Sequence, residues 1–234
     1  MNRKNALSLL LLCVPATGYA CPLCNEEIKA QIYDSQFYPN LFIMLSAFIV
    51  LSVIVAIMAV VTTRKHKRWQ TANPHAQVLT PVPLTTASVV LGIGFGGFVD
   101  GIFFHQILQV HEMLSNKIPA TNYIGKSVNM FWDGIFHAFC LIVALVGVVL
   151  LWKLLWRNDV DRSGKLLTAG LLFGWGIFNL VEGIIDHHLL KLHNVVEYAT
   201  NHAPANYAFL GSSVVFSLVG GFLFNQENKR IYAG

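Results

Sequence analysis

The stretch GIGFGGFVDGIFFHQILQVHEML (residues 92–114) aligns without a gap with GWGIFNLVEGIIDHHLLKLHNVV (residues 174–196). Each copy carries an acid followed by Gly, then one His five residues after the acid and another eleven residues after it. The matched residues are Asp100 with Glu182, His105 with His187, and His111 with His193. Because each copy begins as an apolar run and ends in titratable side chains, the alignment predicts two copies of one membrane-spanning unit.

The composition indicates a membrane protein. Of the 234 residues, 55% are hydrophobic and 12% are charged, whereas soluble domains carry about 25% charged residues. A helix needs about 20 apolar residues to cross a bilayer. Five stretches meet this requirement, and they lie at residues 40–62, 83–104, 130–152, 166–186 and 207–225.

The predicted fold class is all-α, a polytopic membrane helix bundle. Its four-helix core, at residues 83–225, consists of two parallel duplicated helical hairpins. Repeats that run in the same direction are related by an axis along the membrane normal, and sites tend to lie where they meet. The span at 40–62 is one extra N-terminal transmembrane helix that anchors the chain.

The distribution of Lys and Arg predicts the orientation. These residues concentrate in a basic linker at 63–82, between the third and fourth spans, and in the tail at 226–234. By the positive-inside rule these segments are cytoplasmic. The His-bearing ends of the spans then face the periplasm or exterior of a bacterial inner membrane.

The first 39 residues have the features of a secreted start. Residues 1–20 show a charged beginning, an apolar middle and a small-residue end, which is typical of a signal peptide. Plain cleavage is favoured over lipidation at Cys21, and an uncleaved helix is the third alternative. Residues 21–39 form a short external segment with the C-x-x-C pair Cys21 and Cys24. An oxidising compartment favours a disulfide between them, with a redox or soft-metal role as the alternative.

Helical spacing indicates which side chains converge. Residues four apart lie about 40° apart around a helix, and residues eleven apart lie about 20° apart. Asp133 and His137 therefore share a face of the third span. The fifth span has LGSSVVF (210–216) where the third has WDGIFHAF, so Asp133 and His137 have no counterparts and the site should be lopsided.

The inner His of each copy is harder to place. His105 and His187 point about 140° away from their acids on a straight α-helix. Either these two residues serve another purpose, or the helices bend near Gly101 and Gly183, since Gly is a common cause of kinks.

Acids and His residues at the outer ends of three spans predict a transition-metal site. Imidazole and carboxylate ligands suit iron, zinc or copper, and bundles build such sites from facing helices. Either two ions bind, as in a dinuclear centre, or some members orient the ligands. His188 is excluded because Gln106 occupies its place in the first copy. The predicted members are Asp100, His105, His111, Asp133, His137, Glu182, Asp186, His187 and His193.

Two other interpretations of these residues stay open. One is a hydrogen-bonded cluster at the membrane interface that holds no metal. The other is haem ligation by paired His, which the carboxylates disfavour because axial haem ligands are His, Met, Cys or Tyr.

Three blocks carry a resemblance to a known family: GFVDGIFFHQILQVHEMLS, WDGIFHAF and GIFNLVEGIIDHHLLKLH. They resemble the signature blocks of a family of predicted bacterial membrane proteins, catalogued as domain of unknown function 2243. The resemblance covers about residues 83–225. It implies a four-helix core and no particular activity.

Three function classes follow. The first is a membrane metalloenzyme, an oxidoreductase or hydrolase, with Glu182 or Asp186 as general base. The second is a non-catalytic protein that handles or senses copper or zinc, and the third is a structural subunit of a membrane complex. The sequence contains no phosphate loop or nucleic-acid module. Its predicted partner is the lipid bilayer, and association with a second copy or another membrane protein stays open.

Overall fold

The structure is a computed structural model that describes residues 25–76 and 78–233. The predicted signal peptide and the pair Cys21 and Cys24 lie outside the described residues. The described part is all-helical, with two α-helices that continue as π-helical segments. The elements are α1 (Glu26–Ile32), α2 (Phe37–Ala72), α3 (Val82–Val99) with the π-helical segment Asp100–Ile107, α4 (Tyr123–Leu154), α5 (Gly164–Glu182) with the π-helical segment Gly183–Leu189, and α6 (Ala203–Tyr232).

Five of these helices, α2 to α6, are long and apolar enough to span a membrane. Each contains one of the five predicted spans, so the prediction of an all-α membrane bundle is confirmed. Helix α2 runs past residue 62 into the segment predicted as a basic linker and ends at Ala72. The Arg, Lys and Gln residues of that segment are good helix formers, which accounts for the extension.

Helices α3 and α5 are the central pair of the bundle. Their most apolar windows are 61% and 50% buried, against 22% for α2 and α4 and 11% for α6. Helix α3 packs against α4 and α5, while α5 packs against α6. Helix α2 therefore lies at the periphery of a four-helix core.

Two glycines allow α3 and α5 to approach closely. A Cβ atom on Gly92 would collide with the carbonyl oxygen of Leu171, and one on Gly174 would collide with the carbonyl oxygen of Val89. Val89 and Leu171 each precede a glycine of the pair by three residues, so the contact is reciprocal at matched positions. Small residues at such crossings bring helix backbones into contact within membranes.

The bundle has two distinct ends. The site end is formed by the loops at 108–122 and 190–202, and the basic end by those at 73–81 and 155–163. At the basic end, the Asp161 N–H donates to the Thr80 carbonyl (3.0 Å), and Arg230 pairs with the Asp161 carboxylate (2.7 Å). At the site end, α1 buries Ile28 and Ile32 in the main apolar core.

Substituting Ala for Gly92 or Gly174 should lower the free energy of unfolding by about 1–3 kcal/mol, because the added methyl group forces the two backbones apart. Thermal unfolding of the detergent-solubilised protein measures the change. Gly134 is the matched control, since a Cβ there meets nothing within 4 Å. If Gly92→Ala and Gly134→Ala unfold at the same temperature, the close approach of α3 and α5 is not required.

Candidate metal centre

Eight of the nine predicted site residues lie buried near the site end, each no more than 3% exposed. They come from the last residue of α5, from the π-helical segments after α3 and α5, from the loops that follow these segments, and from α4. The eight residues are Asp100, His105, His111, Asp133, Glu182, Asp186, His187 and His193.

The π-helical segments bring each acid to the His five residues later. His105 Nε2 lies 3.1 Å from Asp100 Oδ2, and His187 Nε2 lies 2.8 Å from Glu182 Oε1. A π-helix closes on the fifth residue rather than the fourth, so residues five apart lie on one face. The wider turn thus removes the 140° separation expected of a straight α-helix, and it begins at the position where the sequence suggested a bend.

Both π-helical segments end in the same unusual way. Leu108 N–H donates to the Phe103 carbonyl (2.8 Å), and Leu190 N–H donates to the Ile185 carbonyl (2.7 Å). The next residues, Gln109 and Lys191, have φ of 50°. A positive φ is uncommon for residues other than Gly and costs about 1–3 kcal/mol when held. This reversal turns the chain so that the outer His of each copy points back into the bundle.

The outer His residues exchange hydrogen bonds between the two copies. His111 Nδ1 donates to the Val195 carbonyl (2.9 Å), and His193 Nδ1 donates to the Met113 carbonyl (3.1 Å). Each His thus donates to the backbone carbonyl two residues after the aligned His of the other copy. The two rings stack with centroids 4.7 Å apart and an interplanar angle of 3°.

These bonds fix the tautomers of both rings. A carbonyl only accepts, so Nδ1 carries the proton in each ring. Burial lowers the pKa of His111 well below its usual value, and the nearby imidazoles lower it further. Burial and the adjacent His187 also lower the pKa of His193. Both rings are therefore neutral at neutral pH. The Nε2 atom of each ring carries a lone pair that points into the site.

The inward lone pairs face carboxylates. His193 Nε2 lies 3.2 Å from Glu182 Oε1, and His111 Nε2 lies 4.0 Å from Asp100 Oδ1. Two lone pairs at such distances repel unless a proton or a cation lies between them. The arrangement therefore has the donors and the charge that a metal ion requires.

Two overlapping sets of buried side chains have the spacing of a metal site. In each set the ligand atoms lie within 4.8 Å of one another, and His193 belongs to both. The sets are His105, His111 and His193, and Glu182, His187 and His193.

Several buried polar side-chain atoms in this region, both carboxylate oxygens and imidazole nitrogens, have no hydrogen-bond partner among the described residues. Such atoms are few in native proteins, and an unplaced ion or water is a common reason for them. Asp186 stands out, because no described residue donates a hydrogen bond to its carboxylate. The carboxylates of Glu182 and Asp100 are also close enough to repel its charge. The unpartnered atoms include Asp100 Oδ1, His111 Nε2, Glu182 Oε2, Asp186 Oδ1 and both ring nitrogens of His187.

Asp133 lies behind the site rather than across from it. Its Oδ1 contacts His105 Nδ1 (2.8 Å) and accepts from Met113 N–H (3.0 Å), while Oδ2 accepts from the Gln106 amide (3.3 Å). A carboxylate that accepts the far N–H of a His fixes the ring and raises its basicity as a ligand. Asp133 therefore aims His105 Nε2 towards Asp100.

Asp133 has no acidic counterpart in the second copy, but an amide makes the same backbone contact there. Asn206 Oδ1 accepts from Val195 N–H (2.9 Å), as Asp133 Oδ1 accepts from Met113 N–H, and Val195 and Met113 are aligned residues of the two copies. Asp133 lies ten residues after the start of α4, whereas Asn206 lies only three after the start of α6, so the alignment of the spans placed Asn206 outside the match. His137 corresponds in the same way to Leu210. His137 lies against Gly101 in the first copy, and Leu210 lies against Gly183 in the second.

His137 is the one predicted member that the structure separates from the others. Its Nε2 lies against Gly101, where a Cβ atom would collide with it, and the ring stacks on Phe98. Among the described residues no hydrogen bond joins the His137 ring to another candidate. The four-residue spacing from Asp133 gives the right face but leaves the ring one turn deeper in the bundle.

Comparison with known proteins gives one match. The family model described as "Predicted membrane protein (DUF2243)" matches residues 87–227. The chain belongs to this family. All nine candidate residues lie inside the matched range, whereas α1 and α2 precede it. No curated protein and no solved structure matches the chain.

Other His residues have local roles. His188 Nδ1 donates to the Gly183 carbonyl (2.8 Å), and His202 Nδ1 donates to the Val196 carbonyl (2.9 Å). His66 lies far along α2 and bonds the Tyr232 hydroxyl (3.0 Å). None of the three belongs to a set with metal-site spacing in the described part of the chain.

Sequence reasoning missed the amides that hold the loops. Asn129 on α4 accepts from Leu114 N–H (2.9 Å) and donates to the Ile118 carbonyl (2.7 Å). Asn206 fixes Val195, and Gln106 supports Asp133. An Asn near the start of an apolar span is the signal that could have found two of them, because an amide there needs partners within the protein.

Two cavities at the site end reach the cluster. One, of about 360 Å³, is lined by His111, Glu112 and Lys126 among others. The other, of about 330 Å³, is lined by His187, His188 and Lys191 among others. Both cavities therefore approach the buried cluster from the loop surface, and each has one His of the cluster among its lining residues.

Asp133→Leu should lower the free energy of unfolding by about 3 kcal/mol or more, because it leaves two buried donors, His105 Nδ1 and Met113 N–H, without an acceptor. Asp133→Asn should cost less, since its amide oxygen can still accept from Met113 N–H. Thermal unfolding in detergent compares the two variants. Equal stability of Asp133→Leu and the wild type would contradict the positioning role given to this carboxylate.

Proposed function

We propose that this membrane protein is a metalloenzyme, an oxidoreductase or hydrolase, with a His/carboxylate transition-metal centre at its external face. One observation carries the proposal. His111 and His193 are neutral rings whose Nδ1–H groups are used by the opposite copy, so both inward nitrogens are free to ligate beside the carboxylates of Asp100 and Glu182. Metal-binding His residues characteristically donate their other N–H to a carbonyl or carboxylate in this way.

The donor set favours particular metals. It consists of imidazoles and carboxylates, while the buried Cys140 lies beside Gly97 and contributes no sulfur to the two sets. Iron, zinc and divalent copper suit such ligands, whereas Cu(I) prefers sulfur.

We propose two ions, one for each copy of the motif. Asp100, His105 and His111 would hold the first ion, and Glu182, His187 and His193 the second, since each trio supplies one acid and two imidazoles. Each ion would supply Lewis-acid or redox chemistry when bound. Asp186, a buried carboxylate that accepts no hydrogen bond from a described residue, is the residue placed to take a proton from a reacting molecule.

The cavities at the site end bear on whether the role is catalytic or purely structural. Structural metal sites are closed, whereas catalytic sites keep a position open to small molecules. Two cavities have His111 and His187 among their lining residues, and both side chains are buried, so a reacting molecule would reach the centre when one of these rings moves. The reacting molecule would be small and would arrive from outside, because Lys and Arg concentrate at the basic end and the positive-inside rule favours a cytoplasmic position for that end.

Wild-type protein purified without chelators should carry at least one equivalent of a transition metal, and two when metal is added. Glu182→Ala and His193→Ala should each reduce the content at least tenfold, since each removes a ligand. His188→Ala is the matched control, because this neighbouring ring bonds only a backbone carbonyl. Elemental analysis measures the content.

Less than about a tenth of an equivalent in the wild type, with none regained on addition, would overturn the metal centre. The same conclusion would follow if Glu182→Ala and His188→Ala retained metal equally. In either case the protein's insertion and thermal unfolding confirm that it is folded.

The external position of the site is tested separately. A single Cys at Thr200, in a chain whose natural cysteines are replaced by Ala, should react with an impermeant maleimide added outside intact cells. A Cys at Lys165, on the basic end, should react only after the membrane is opened. The reverse pattern would place the centre in the cytoplasm and contradict the proposal.

A further inference from the structure

The two copies of the motif carry different charges at matched positions near the openings (mouths) of the two site-end cavities. After the inner His, the first copy carries Gln106, Gln109 and Glu112. At the same three places the second copy carries His188, Lys191 and Asn194. With His neutral, the first mouth has one negative charge and the second has one positive charge. All of these residues except Gln106 line the two cavities, and none of them belongs to a ligand trio.

The cavity beside the second trio has the positive mouth. Its lining residues include Lys191 and Tyr207, and no Asp or Glu is among them. Lys191 makes no ion pair with any residue that the structure describes. His187 is also a lining residue; its side chain is buried, and its Nε2 lies 2.8 Å from Glu182 Oε1. A free ammonium at the mouth of a concave polar site favours an anion.

The cavity beside the first trio lacks this property. Its lining includes two carboxylates, Glu112 and Glu197. Its ammonium, Lys126, is already engaged, at 2.7 Å from the Gln109 amide oxygen and 3.8 Å from Glu112. An anion entering here would meet carboxylates and a cation that is already paired.

The halves also differ in how firmly their inner His is held. His105 Nδ1 bonds Asp133 (2.8 Å), whereas His187 Nδ1 has no partner among the described residues. Asn206, which takes the place of Asp133, bonds Val195 and Asn194 instead. The second trio therefore has the less constrained ligand as well as the positive mouth.

We propose that the cavity beside His187 binds a small anion, such as azide, a carboxylate or an inorganic oxyanion, and delivers it to the second trio. The inference rests on the proposed metal centre, because the anion would complete the coordination of the ion held there. Lys191 attracts the anion, and Tyr207 is placed to donate a hydrogen bond to it. The first trio, with Asp133 behind His105 and carboxylates at its mouth, would hold its ion without exchanging a ligand.

The test uses the full chain in detergent, loaded with Co²⁺ and titrated with azide as a small anion. The visible spectrum of the bound cobalt should shift with saturation, because azide enters the coordination sphere. Lys191→Gln, which installs the residue of the first copy, should weaken azide binding about tenfold by removing the unpaired charge. Lys191→Arg should restore most of the affinity, since it keeps the charge.

Lys126→Gln is the matched control, because it removes the ammonium of the other cavity, and it should leave the azide affinity unchanged. Two results would overturn the inference alone: cobalt bound with a spectrum indifferent to azide, or equal losses in Lys191→Gln and Lys126→Gln. Failure to take up cobalt would overturn the metal centre and the anion site together. Cobalt content is measured before azide is added, so the two failures are distinguishable.

Discussion

The exchanged hydrogen bonds of His111 and His193 are the interaction on which the site end depends. Each ring donates to a carbonyl of the other copy, so neither half holds its outer His without its partner. The bonds form only because α3 and α5 touch, and this in turn requires the bare backbones of Gly92 and Gly174. Close packing within the bilayer thus sets the geometry of a polar cluster at its edge.

Much of the architecture could be predicted from the sequence. The apolar spans and the matched motifs have strong, long-range patterns, and five of the described helices coincide with the predicted spans. The π-helical turns could not be predicted, because a spacing of five between acid and His has no preferred meaning on an α-helix. Only the exchange of backbone partners from the fourth to the fifth residue brings Asp100 to His105.

The roles of α4 residues show a second limit of sequence reasoning. Asp133 and His137 share a face, yet only Asp133 reaches the cluster, because depth along the bundle depends on how α4 packs and not on spacing alone. Asn206 was missed for a related reason. Asp133 lies ten residues after the start of α4 and Asn206 only three after the start of α6, so their equivalence is visible in their shared backbone contact and not in the aligned sequence.

The charges of the cluster give a further reason to expect a cation. Four carboxylates are buried together, those of Asp100, Asp133, Glu182 and Asp186. No Lys or Arg makes an ion pair with any of them in the described residues. The neutral rings of His111 and His193 do not balance this negative charge. Even if both His105 and His187 were protonated, two negative charges would remain unbalanced.

Burying uncompensated carboxylates costs several kcal/mol each, unless they bind a proton or a metal ion. Protonation of Glu182 would place a hydrogen bond between this carboxyl and His193 Nε2 (3.2 Å), but it would leave His111 Nε2, which lies 4.0 Å from Asp100, without a partner. Divalent ions would balance the carboxylates and use both lone pairs at once. The unbalanced carboxylate charge and the free imidazole nitrogens therefore both favour divalent metal ions at this site.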